Sequence, residues 1–103
     1  MTTLAYLASS FSHPDASVRG ERYLLACKTA AALIRKGVLV FSPIAHSYSI
    51  ATIGGLEGDF NAWIEFDRAM LERCSLLFVL CIDGWDKSRG VQAEIEWARE
   101  MNL

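Results

Sequence analysis

Three short apolar runs, residues 4–8, 38–41 and 76–82, alternate with longer segments of helical character, and this alternation restricts the chain to an α/β fold. The runs are apolar almost throughout, as strands are when a parallel sheet is covered on both faces. Parallel neighbours need crossover connections, which are right-handed in nearly all known cases. The expected architecture is a parallel sheet flanked by helices. With 103 residues there is room for one domain, residues 1–103.

The first run ends at Ser9-Ser10, and a polar loop over residues 9–17 follows. Asp15 or Ser17 can cap a first helix reaching to about Lys36, with Leu24, Cys27, Ala31 and Ile34 on one face. Gly37 ends it. Residues 42–59 read as a long connection, and one of that length in a compact domain is usually functional or mobile. Its segment Gly54-Gly55-Leu56-Glu57-Gly58 lacks the context of a phosphate-binding loop and reads as a flexible lid. A second helix over residues 60–73 leads into the third strand. An exit loop over residues 83–89 precedes a third helix over residues 91–101.

Composition excludes several function classes. A net charge of -2 without a basic stripe argues against nucleic acid as a partner. The longest apolar run is far too short to cross a bilayer, so no membrane partner is expected. No charged region precedes an apolar stretch at the N-terminus, so no signal peptide is expected. Cys27, Cys74 and Cys81 form neither a CxxC pair nor a metal-like cluster with His13 and His46. They read as buried free thiols, which points to the cytoplasm and to a chain without metal or cofactor.

In sheets of this kind ligands bind at the carboxyl ends of the strands. Here those ends carry Ser9, Ser10 and Phe11, then His46, then Trp85, Ser88 and Gly90. On the third helix, Val91, Ile95 and Ala98 mark the core stripe, with Glu96 and Glu100 nearly opposite. Glu94 falls at the edge of that stripe in the first turn, where an acid also serves the helix dipole. On the second helix Asp67 lies within the apolar face formed by Trp63, Phe66, Met70, Leu71 and Cys74. A carboxyl group there is either a structural acid or a functional one, since burial without a partner costs several kcal/mol. Ser88 is either an N-cap or, with free helix-start amides, a phosphate ligand. Gly90 allows close backbone approach, and the helix N-terminus favours an ionised carboxylate. Tyr6 reads as a core aromatic, His46 as a loop hydrogen-bonder, and Trp85 as a cover for a planar ligand.

These residues together resemble the nucleoside 2-deoxyribosyltransferase-like superfamily, including its 2′-deoxynucleoside 5′-monophosphate N-glycosidases. The resemblance runs from Tyr6-Leu7-Ala8-Ser9-Ser10-Phe11 through Gly37-Val38-Leu39-Val40-Phe41-Ser42-Pro43 and Asp67 to Gly90-Val91-Gln92-Ala93-Glu94. It implies a three-layer flavodoxin- or Rossmann-like α/β fold, that Glu94 attacks an anomeric carbon, that Tyr6 orients Glu94, and that Asp67 lies near the leaving base. It also implies that Ser88 contacts a 5′-phosphate, where base-exchanging transferases carry an acid. Glu96 departs from a glycine frequent in the family. The further strands of relatives are missing after Leu103, which favours hydrolysis over transfer and a homo-oligomer that covers sheet edges. The expected substrate is a small nucleoside or nucleotide. The expected chemistry follows the two-carboxylate logic of retaining glycosidases, with the carboxyl groups roughly 5–5.5 Å apart. A non-catalytic nucleotide-binding or nucleotide-sequestering module is the alternative. Cleavage of a nicotinamide-ribosyl bond would use the same glutamate chemistry.

Overall fold

The computed structural model describes residues 3–56 and 60–103, which form three parallel strands and four α-helices. Strand β1 (Leu4–Ser9) is central, between β2 (Leu39–Phe41) and β3 (Leu76–Leu80), giving the order β2-β1-β3. Ala5 lies opposite both Val40 and Leu76. The central position explains why Ala5, Tyr6, Leu7 and Ala8 are all sealed from solvent. Helix α1 (Ala16–Arg35) connects β1 to β2. Helices α2 (Pro43–Gly54) and α3 (Phe60–Glu72) lie between β2 and β3. A 3-10 turn over Trp85–Lys87 leads into α4 (Arg89–Glu100). Helix α1 packs on α2 and α3 on α4, so the sheet is flanked by helices in a three-layer, Rossmann-like arrangement.

Side chains alternate across a strand, and β1 uses both faces. Tyr6 and Ala8 join Leu71, Cys74 and Trp97 in one buried cluster beneath α3 and α4. Ala5, Leu7 and Ser9 point to the opposite face. The inner face of α1 differs from expectation. Leu24 and Ile34 are more than half exposed, whereas Ala26 and Ala30 are buried. A helix seated on alanines comes close to its neighbours, and its larger apolar residues are left on the flanks. Asp15 is the cap, its carboxylate accepting from Ser17 N at 2.8 Å. Gly37, at φ +87°, ends the helix in the left-handed region.

The long connection after β2 is mostly helix. Ser42 caps α2 by accepting from Ala45 N at 3.1 Å, and Pro43 occupies the first turn. Gly55, at φ 68°, closes it in the left-handed conformation. Gly54 therefore ends a helix instead of opening a lid, and the remainder of the expected lid, residues 57–58, lies outside the described residues. The cysteines are free, but only Cys74 is buried; Cys81, just past the end of β3, is exposed.

Candidate active site

The carboxyl ends of β1 and β3 open into a cavity of about 840 Å³, within the size range of small-molecule sites. Glu94, Ser9 and Asp67 are the polar lining residues most withdrawn from solvent, each at most 7% exposed. Helix α2 forms one wall with Ile44, Ser47, Tyr48 and Ala51, the spacing of a single helical face. Phe11 packs edge-on against Tyr48, which stacks on Tyr23, so this wall is braced by one ring from the β1 exit loop and one from α1.

Glu94 is the sixth residue of α4, because the helix begins at Arg89 and not at Val91. It therefore lies beyond the first turn and is 3% exposed, with Val91, Trp97 and Ala98 on the same buried face. The helix-dipole role expected for it does not apply. The hydroxyl of fully buried Tyr6 donates a hydrogen bond to Glu94 Oε2. Burial raises the Glu94 pKa to about 8, with a smaller push from Asp67 and an opposing pull from the Tyr6 hydrogen bond. The ionisation expected from the helix N-terminus is thus overturned by desolvation. Burial also raises Asp67, to about 7. Tyr6 is pushed far above the phenol range by burial and by both carboxyl groups, so it remains a proton donor. Deeper burial gives Glu94 the higher value, while the hydrogen bonding points the other way. Glu94 has a donor, and Asp67 Oδ1 has no partner among the described residues.

The hydroxyls of Ser9 and Ser10 are likewise without partners among the described residues. Nearly all buried polar groups in folded proteins are hydrogen-bonded, so two such atoms, Ser9 Oγ and Asp67 Oδ1, on residues that line one cavity suit a polar ligand. Ser88 is the N-cap of α4, accepting from Val91 N at 3.2 Å; its hydroxyl proton is left for a ligand. Gly90 and Phe11 also line the cavity.

Three expected contacts are displaced. His46 lies on another face of α2, stacked on Phe66 and tilted against Phe41, because the connection that carries it is helical. Trp85 does not line the cavity, although Gly84 and Lys87 on either side of it do. Residues of a 3-10 turn project about 120° apart, which turns Trp85 away when Lys87 faces inward. Ser10, just past the end of β1, is buried and does not line the cavity. Trp63, expected in the core, is a half-buried cavity residue.

The expectations above omit a basic set: Arg19, Arg22, Lys87 and Arg89 all line the cavity. Arg22 ties two exit loops together, donating to Ser12 O at 3.0 Å and to Asp83 O at 3.1 Å. Arg19 donates to the carbonyls of His13 and Pro14. The i, i+3 spacing of Arg19 and Arg22 in the first turns of α1 was the available signal. Among the described residues no group of acids, histidines or cysteines is suited to hold a metal ion, and no helix is long and apolar enough to cross a membrane.

No curated protein matches the chain. A family model described as a domain of unknown function (DUF1937) matches residues 3–103. Since the match spans nearly the whole chain, sheet, cavity and paired acids included, the protein belongs to this DUF1937 family.

Proposed function

We propose that the protein hydrolyses the N-glycosidic bond of a nucleoside or, preferably, a nucleoside 5′-monophosphate. The carrying observation is the pairing of two buried carboxyl groups, Glu94 and Asp67, in one cavity, with Tyr6 hydrogen-bonded to Glu94. The resemblance to nucleoside 2-deoxyribosyltransferase-like proteins supports the same assignment. The Glu94 carboxylate attacks C1′, and the C1′–N bond breaks with its electron pair on the base. Asp67, carrying a proton, delivers it to the departing base nitrogen. A water molecule then attacks C1′, gives its proton to Asp67, and frees the Glu94 carboxylate together with the sugar. The proton of the pair must therefore sit on Asp67, an arrangement that the Tyr6 hydrogen bond favours. Ser9, Ser88 and the start of α4 hold the sugar and phosphate. The two open sheet edges, with Leu39 and Leu76 exposed on them, support self-association.

Incubation with a panel of nucleosides and nucleotides, followed by chromatography of free base, tests the proposal. Release of base by the parent and not by Glu94→Ala is expected; equal release by the two removes Glu94 from the mechanism. The raised Glu94 pKa favours a second reading, since a neutral carboxyl group is a poor nucleophile. On that reading the module binds and sequesters a nucleotide, and calorimetry shows tight binding without turnover.

A further inference from the structure

The chain carries a net charge of -2, yet four of its 10 Lys and Arg residues, Arg19, Arg22, Lys87 and Arg89, line one cavity. Among the described residues the only acids lining it are Asp67 and Glu94, the two most deeply buried in the chain. The exposed Lys87 and Arg89 flank the N-cap Ser88 and make no ion pair or hydrogen bond through their side chains among the described residues. Arg19 uses one nitrogen, Nη1, on loop carbonyls, and the rest of its fork is unengaged among the described residues. Arg22 joins the β1 and β3 exit loops, which brings the α1 and α4 cations to the same opening. A hydroxyl such as that of Ser88 and the free amides of a helix start suffice for a single phosphoryl group. Lys87, Arg89 and Arg19 are thus surplus to one phosphate. A ligand is independently indicated by the unpartnered Ser9 Oγ and Asp67 Oδ1, both on residues more than nine-tenths buried in the same cavity.

We infer that the cavity binds a pyrophosphate group, with the inner phosphoryl at Ser88 and the start of α4 and the outer one held by Lys87, Arg89 and Arg19. The group is either terminal, as in a nucleoside diphosphate, or internal, as in a dinucleotide. The apolar α2 wall of Ile44, Tyr48 and Ala51 gives the cavity a second surface on which a further ring can rest. The nucleoside half of this ligand rests on the proposed function; the pyrophosphate half does not, because the cation count stands without it.

Calorimetric titration with inorganic phosphate and inorganic pyrophosphate separates the two ideas. Each additional charge-assisted contact is worth about tenfold, so pyrophosphate is expected to bind roughly tenfold to a hundredfold more tightly. The Lys87→Ala/Arg89→Ala double variant is expected to erase that preference and keep the parent melting temperature, since both side chains are exposed. Equal binding of the two anions, or a preference that survives the double variant, overturns the inference. A nucleoside mono- and diphosphate pair and a dinucleotide form the second arm. Preference for the diphosphate assigns a terminal group, and preference for the dinucleotide an internal one. Tightest binding of the monophosphate overturns the inference. Base release is followed separately: its absence with every nucleotide defeats the glycosidase reading and leaves the pyrophosphate result standing.

Discussion

Glu94, the nucleophile of the proposed reaction, is a carboxyl group that the fold makes costly to ionise. Burial raises Glu94 to about 8 and Asp67 to about 7, so the native state holds protons that the unfolded chain has released by about pH 5. Stability from these groups is complete below the unfolded values and is lost as pH rises towards about 8. Glu94→Gln is therefore expected to raise the melting temperature at about pH 8, by an amount equivalent to a few kcal/mol, and to change it little at about pH 4. A series of thermal melts against pH checks this, and an unchanged difference across that range contradicts it. The proposed reaction needs a singly protonated pair, so kcat/KM should be bell-shaped, with its maximum at about pH 7 to 8. Asp67→Asn should abolish the alkaline limb. Tyr6→Phe removes the bond that favours the charged form of Glu94 and should lower the maximum of the profile, because less of the pair then carries its proton on Asp67. It should also cost about 1–3 kcal/mol of stability, because a buried acceptor is left unpaired. Asp67 was legible in the sequence as an acid on an apolar helical face, and that placement holds. Glu94 was less legible: with the helix start set at Val91 it projected to a rim, whereas its backbone lies well inside α4.

At the scale of elements, the strands and three of the helices follow from hydropathy, since short apolar runs and apolar helical faces are one-dimensional signals. Helix α2 hides because Ile44, Ile50, Thr52 and Ile53 are β-branched and no charged residue marks either end. Its boundaries were nevertheless written as Ser42-Pro43 and Gly55, the usual proline start and glycine stop. Ser42→Ala should cost about 1 kcal/mol by removing the cap on Ala45 N, measured by chemical denaturation. Missing α2 also misplaced His46 and concealed the cavity wall it builds. The Arg22 link between exit loops depends on tertiary proximity that no local pattern reveals. Gly84 accommodates it twice over, through a φ of 88° and through an approach of 3.1 Å between Arg22 Nη2 and the position of an added Cβ. Gly84→Ala should therefore destabilise by about 1–2 kcal/mol, from the strained backbone alone.

Across the whole molecule, a nearly balanced chain concentrates its cations around two buried acids at one end of a parallel sheet. Composition reports only the near-zero sum; the asymmetry arises when α1 and α4 bring distant residues to one opening. Such a field predicts ligand affinity that falls with ionic strength, read as a salt-dependent Kd. The open strand edges predict a dimer or larger assembly in sedimentation, and a strictly monomeric species at high concentration contradicts self-association. The proposed reaction depends on a covalent bond between Glu94 and the sugar. Mass spectrometry of protein treated with a 2′-fluorinated nucleotide, whose electron-poor sugar slows the release step, tests it most directly. The account predicts a glycosyl adduct that maps to Glu94 and is absent from Glu94→Ala; base release with no adduct, or an adduct on Asp67, would contradict it.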